Sequence, residues 1–76
     1  MIGKNTFILY KINSINEYWN LIYLAVENGN ITDAKTYISR MNKSQKRDFM
    51  YFYIWDLSDE KMKKALTQFL IEDLTK

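Results

Sequence analysis

Residues 14–29 read SINEYWNLIYLAVENG, and this stretch decides the fold class. Ser14 and Glu17 form the S-x-x-E pattern of a capping box, in which each side chain accepts a hydrogen bond from the other residue's backbone amide. The apolar side chains recur every three or four residues and so share one helix face: Ile15, Tyr18, Trp19, Ile22, Tyr23 and Val26. Gly29, flanked by asparagines, is the expected left-handed stop. The stretch therefore predicts a helix over about residues 15–28.

Three further helices are predicted from polar residues that precede apolar stripes. Thr32 caps a second helix, Ser44 opens a third and Ser58 opens a fourth. Asp59 and Glu60 follow Ser58, where carboxylates favour the positive end of the helix dipole. The second and fourth helices carry stripes at helical spacing: Ala34, Tyr37, Ile38 and Met41 in the second, and Met62, Ala65, Leu66, Phe69 and Leu70 in the fourth. The predicted connections between these helices are only about two to five residues long, which makes neighbouring helices pack nearly antiparallel or at a bundle corner.

The composition fits one small folded unit. The chain has 76 residues, of which 47% are hydrophobic, and it contains no proline. It is too apolar for a disordered tail. We expect an all-α fold, a small compact bundle of three to five short helices that forms a single domain over residues 1–76. The N-terminal segment Thr6 to Ile12 is ambiguous. Either the first helix begins near Thr6 and its apolar face extends through this segment, or the segment is a short strand without a partner in the chain.

The residue types that most small enzymes use are missing. The chain contains no cysteine and no histidine, so it lacks a thiolate nucleophile, a thiolate zinc site and the usual general base. Asp56, Asp59 and Glu60 cluster at one turn, but solvent exposure and the helix dipole explain them better than a metal does. Glu72 and Asp73 lie in a C-terminal turn that we expect to fray. We therefore expect that the protein is not an enzyme and that it has no catalytic residue, no metal site and no cofactor.

Nothing in the hydropathy or charge pattern points to a membrane. The longest apolar run, Phe49 to Trp55, has seven residues, whereas a spanning helix needs about 20. The net charge of +2 is too small to draw the whole protein to nucleic acid or anionic lipid. We expect an intracellular, cytoplasmic protein. The abundance of Ile, Lys, Asn, Tyr and Phe is typical of AT-rich coding and suggests a low-GC bacterial or viral genome.

The predicted third helix carries apolar side chains on two faces. Its main apolar arc consists of Phe49, Met50, Tyr53, Ile54 and Leu57, and Tyr51, Phe52 and Trp55 lie on the other side. Leu21 and Leu24 likewise lie away from the main stripe of the first helix. Two explanations remain open. The third helix is central and covered on all sides, or these residues are exposed and form a partner-binding surface, since tyrosine and tryptophan carry much of the binding energy in interfaces.

Positive charge is concentrated between the second and third helices. Residues 40–47 contain four cations, among them Lys43, Lys46 and Arg47. A solvated turn is one interpretation, and contact with phosphates of a nucleic acid is the other. The neighbouring helix is apolar nearly all round, which argues against a DNA-reading helix.

These observations favour a small non-catalytic regulator, adaptor or inhibitor that occupies a surface of a larger macromolecule. The expected partner is a larger protein or a second copy, contacted through Tyr51, Phe52 and Trp55 with Lys43, Lys46 and Arg47 adding electrostatic orientation. Viral or mobile-element proteins that redirect host enzymes have similar compositions, although no motif carries that analogy. The alternative is a small helical nucleic-acid-binding protein that uses the basic turn 40–47.

Overall fold

The computed structural model of the protein describes residues 14–75, and all the regular structure in that range is helical. The elements are α1 (Ile15–Glu27), α2 (Ile31–Ser39), α3 (Lys43–Asp48), a π-helical segment (Phe49–Ile54) that continues α3, and α4 (Glu60–Leu74). No strand occurs between residues 14 and 75. The predicted all-α bundle of three to five short helices is confirmed. The ambiguous segment Thr6 to Ile12 lies outside the described residues.

Helix α1 begins and ends where the sequence predicts. Ser14 Oγ accepts a hydrogen bond from the Glu17 backbone amide at 3.4 Å. At the other end Gly29 has a φ of 81°, and the Asn30 amide donates to the Ala25 carbonyl at 2.7 Å. The Gly29 amide donates to the Val26 carbonyl at 3.1 Å, which completes a Schellman motif. The chain therefore reverses within two residues, and α2 starts at once.

The starts of α2 and α3 differ from the prediction. Helix α2 follows Asn30 rather than Thr32: Asn30 has a non-helical ψ of 62°, the helix begins at the next residue, Ile31, and Thr32 therefore lies inside the first turn. Helix α3 follows Asn42 rather than Ser44. Asn42 Oδ1 accepts from the Gln45 amide at 2.8 Å, and Gln45 Oε1 accepts from the Asn42 amide at 2.9 Å, a full capping box. Asparagine caps a helix at least as well as serine, so the reciprocal pair determines the start.

Helix α4 also starts one residue later than predicted. Asp59 rather than Ser58 is the N-cap, and its Oδ1 accepts hydrogen bonds from the amides of Lys61 and Met62 at 3.0 and 3.1 Å. The Asp59 carboxylate caps better than the Ser58 hydroxyl because it accepts from two first-turn amides that have no partner within the helix, and because it carries negative charge at the positive end of the helix dipole.

The core lies where the inner face of α1 meets the other helices. Its buried members are Tyr18, Trp19, Ile22, Ala25, Ala34, Ile38, Met41, Phe49, Ile54, Met62, Leu66 and Leu70. Tyr18 ties α1 to α2, because its hydroxyl donates to the Tyr37 carbonyl at 2.8 Å and the two rings meet edge to face with centroids 5.9 Å apart. The Phe49 ring lies 5.8 Å from the Trp19 ring and thereby fixes the π-helical segment on α1.

The π-helical segment sets the direction of the aromatic side chains. The Trp55 amide donates to the Met50 carbonyl at 3.0 Å, five residues back. In this wider turn the two fully buried residues, Phe49 and Ile54, are five positions apart. Of the residues between them, Met50 and Tyr53 pack against the edge of the core, whereas Tyr51 and Phe52 are exposed.

Candidate partner-binding surface

Three aromatic side chains project from one turn of the π-helical segment and its C-terminal end. Tyr51 is 63% exposed, Phe52 is 68% exposed and Trp55 is 69% exposed. We call these three residues the ring surface. The sequence left open whether the third helix is covered on all sides. In the structure its Phe49 and Ile54 side is buried while the ring surface faces solvent.

Trp55 leans toward α4. The Lys63 Nζ lies 5.2 Å from the centroid of the Trp55 ring, within the range of a cation–π contact. The contact restricts the ring without covering it, because Trp55 remains largely exposed. One end of the ring surface is thus oriented by a contact with α4.

Phe52 borders a shallow groove between the π-helical segment and α1. The groove is lined by Asn20, Tyr23, Phe52, Tyr53, Asp56 and Leu57. The Tyr53 hydroxyl donates to Asn20 Oδ1 at 2.7 Å and bridges the two helices. Burial raises the pKa of Tyr53 to about 12, and the nearby Tyr23 hydroxyl adds to the shift. Tyr53 is therefore a protonated donor that holds the wall of the groove in place.

Tyr51 borders a second groove, between α3, the π-helical segment and α4. Its lining residues are Lys43, Lys46, Arg47, Met50, Tyr51, Leu70 and Leu74. We call it the α3–α4 groove. Leu70 is buried at 1% exposure, whereas Leu74 is 55% exposed. The structure therefore joins one predicted ring and the three predicted cations to two leucines of α4 that the sequence analysis did not assign to the site.

Leu21 and Leu24, predicted to support the ring surface, line neither groove. Leu24 is 48% exposed, and Leu21 packs half-buried against the core. The α1 residues beside Phe52 are Asn20 and Tyr23. Successive residues on a helix differ by about 100° in direction, so Leu21 points about 160° away from Tyr23 and Leu24 about 100° away from it. The structure does not bring them into the groove beside Phe52.

The three predicted cations differ in their surroundings. Lys46 forms an ion pair with Asp73, and the two side chains are 14% and 8% exposed. Arg47 lies 3.5 Å from Asp48 in an exposed pair and donates to Ser44 Oγ at 3.3 Å. Lys43 is exposed and has no ion-pair partner within residues 14–75. Lys43 and Arg47 are therefore accessible charges, whereas Lys46 is mainly part of the fold.

Asp73 corrects the expectation of a fraying last turn. It lies within α4, is almost fully buried and pairs with a residue 27 positions earlier in the chain. No local pattern of the sequence indicates such a pair, because it depends on how α3 packs against α4.

No protein-family model, curated protein or solved structure matches the chain. Over residues 14–75, no helix is both long and apolar enough to span a membrane. In the same part of the chain, no group of three or more acidic side chains is arranged to hold a metal ion.

Proposed function

We propose that the protein is a small non-catalytic binding protein, a regulator, adaptor or inhibitor, that acts by covering a surface of a larger protein with its ring surface. The observation that carries the proposal is the exposure of Tyr51, Phe52 and Trp55, each between 63 and 69%, within five consecutive residues. Aromatic side chains bury a large rigid area, and tyrosine and tryptophan also keep a polar group for a hydrogen bond. An exposed cluster of this kind marks an interaction surface.

The π-helical segment that carries the ring surface is packed against α1 on its opposite side. The Phe49 ring stacks on Tyr53 with centroids 5.4 Å apart, and Tyr53 is hydrogen-bonded to Asn20 of α1. Preorganisation of this kind lowers the entropy lost when a partner binds. The proposal includes a cytoplasmic site of action and an origin in a virus or mobile element, for which the composition is the support.

The alternative, nucleic-acid binding through the basic turn 40–47, has weaker support. Lys46 is paired with the nearly buried Asp73, so its charge is largely compensated. Arg40, Lys43 and Arg47 remain as exposed cations, and phosphate contacts of three residues give modest affinity. Nucleic acid is therefore treated as an outcome that the following experiment distinguishes.

Photo-crosslinking in cells of the source organism tests the proposed function. A benzophenone amino acid replaces Phe52, and in the control it replaces Thr36, which is exposed on α2. We expect one protein to be crosslinked from position 52 and not from position 36. The triple variant Y51A/F52A/W55A serves as competitor: an excess of wild-type protein suppresses the crosslink, whereas an excess of the triple variant does not.

Each outcome has a defined meaning. A crosslink from position 52 to a second copy of the chain identifies the partner as itself. Recovery of nucleic acid in place of protein supports the alternative. If position 52 yields no discrete product, or yields the same products as position 36, the proposed function is wrong.

A further inference from the structure

The α3–α4 groove combines an apolar floor with a basic edge. Met50, Leu70 and Leu74 supply aliphatic surface, and Tyr51 supplies one exposed ring. Lys43, Lys46 and Arg47 line the same groove, and no carboxylate from residues 14–75 is among its lining residues. An apolar floor beside a basic edge suits a ligand that is apolar on one side and negatively charged on the other.

Two of the three lining cations are available to a ligand. Lys43 is exposed and has no ion pair among the described residues. Arg47 contacts Asp48 at 3.5 Å, but the two side chains are 64% and 37% exposed, and exposed pairs contribute little. Arg47 can therefore exchange Asp48 for a carboxylate of a partner, and its planar guanidinium favours that geometry.

We propose that the α3–α4 groove binds an acidic peptide segment of the partner protein. Its apolar side chains pack between Tyr51 and Leu74, and its carboxylates reach Lys43 and Arg47. The inference rests on the proposed function and names the chemistry of the partner. A nucleic acid fits less well, because stacking on bases needs aromatic platforms, whereas three of the four apolar lining residues are aliphatic.

A display selection tests this inference even though the partner is unidentified. The full chain is immobilised, and a phage library of random twelve-residue peptides is selected against it. We expect enriched peptides to contain several Asp or Glu residues together with Leu, Ile, Phe or Trp. The best peptide is then labelled, and its affinity is measured by fluorescence anisotropy.

Two variants and a charge-matched control locate the binding. We expect K43E/R47E to weaken binding of the selected peptide about tenfold or more and to reduce its salt dependence. L74A weakens binding by removing apolar surface. The control K61E/K64E changes the net charge by the same amount on exposed positions of α4 outside the groove, and we expect its affinity to stay within about twofold of wild type. Circular dichroism establishes that each variant is folded.

The inference is overturned if no peptide is enriched, if the enriched peptides are neutral or basic, or if K61E/K64E weakens binding as much as K43E/R47E does. A labelled single-stranded oligonucleotide that binds wild type but not K43E/R47E, while no acidic peptide is enriched, favours nucleic acid instead. If a protein is crosslinked from position 52 but the selection fails, the proposed function stands and only the peptide-binding role of the α3–α4 groove is rejected. The two proposals can therefore fail separately.

Discussion

At the scale of single residues, the ion pair between Lys46 and Asp73 is the most consequential contact outside the apolar core. It joins α3 to the last turn of α4, with both side chains largely withdrawn from solvent. A buried pair adds little compared with a well-packed apolar pair, but breaking it leaves one charge without compensation. The pair therefore matters most through what happens when one member is removed.

Asp73→Asn leaves the Lys46 ammonium in a site that is mostly dry. We expect a loss of about 2 kcal/mol in the free energy of unfolding, below the value for a fully buried pair because Lys46 retains some contact with water. Urea unfolding measures the loss. Glu72→Gln is the matched control, since the Lys35–Glu72 pair is about half exposed at 3.5 Å and its loss costs about 0.5 kcal/mol. Equal effects of the two substitutions would contradict this account.

Tyr53 gives a residue-scale prediction about pH. Because burial raises its folded-state pKa from 10 to about 12, its contribution to stability is complete below pH 10 and is lost as the pH rises through about 12. Unfolding free energy of the wild type should therefore decline over this interval. Tyr53→Phe removes the hydrogen bond to Asn20, costs about 1 kcal/mol at neutral pH and makes the decline shallower.

Urea titrations at pH 8, 10 and 11.5 check the Tyr53 prediction. Tyr51→Phe is the control, since Tyr51 is 63% exposed and its removal should leave the decline unchanged. Equal slopes for wild type and Tyr53→Phe would show that another group is responsible.

At the scale of elements, the π-helical segment makes a prediction that an ordinary α-helix does not. Deleting Phe52 shortens the wide turn and places Phe49 and Ile54 four positions apart, which keeps both on the core side of an α-helix. We expect this variant to remain helical and to unfold cooperatively. Deleting Thr67 is the control, because the deletion rotates Leu70 and Asp73 away from their sites in α4.

Far-UV circular dichroism with thermal unfolding compares the two deletions. We expect a sharp transition for the Phe52 deletion and a broad or absent transition for the Thr67 deletion. Loss of cooperativity in both would show that the extra residue of the π-helical segment is required for packing.

The sequence predicts elements well where their signals are local. Helix α1 has both its capping serine and its glycine stop within the stretch that forms it, so its limits agree with the structure. The later starts move by one or two residues, because Asn42 and Asp59 compete successfully with Ser44 and Ser58 for the orphan amides. Five-residue spacing of buried side chains is outside the 100° periodicity used to find helices, so the π-helical segment is not predicted.

The candidate site is predicted only in part, for the same reason. Spacing along one helix places Tyr51, Phe52 and Trp55 opposite the main apolar arc, but their exposure is seen only in the structure. The α3–α4 groove requires knowing that α4 packs beside α3, and Leu74 acquires its place only through that packing. The assignment of Leu21 and Leu24 assumed that apolar side chains outside the main stripes share one surface, which the packing of α1 does not support.

At the scale of the whole molecule, the largest apolar side chains of residues 14–75 include both a buried core and the exposed ring surface, and we expect only the core to maintain the fold. Y51A/F52A/W55A removes side chains that are 63 to 69% exposed, so we expect the free energy of unfolding to change by no more than about 1 kcal/mol. The main interaction that the variant removes is the cation–π pair of Lys63 with Trp55, and alanine offsets its removal by favouring the helix. The variant should also be more soluble.

The matched control for the ring variant is Phe49→Ala, two residues from Tyr51 and fully buried against Trp19. It should lose about 3–5 kcal/mol, which is enough to unfold most of so small a domain. Chemical unfolding followed by circular dichroism compares the two variants directly. If the triple variant unfolds as readily as Phe49→Ala, the rings support the fold of a single copy, and their exposure no longer argues for a partner. If it is as stable as wild type, the fold of a single copy does not account for three large rings in solvent, which supports their role in binding.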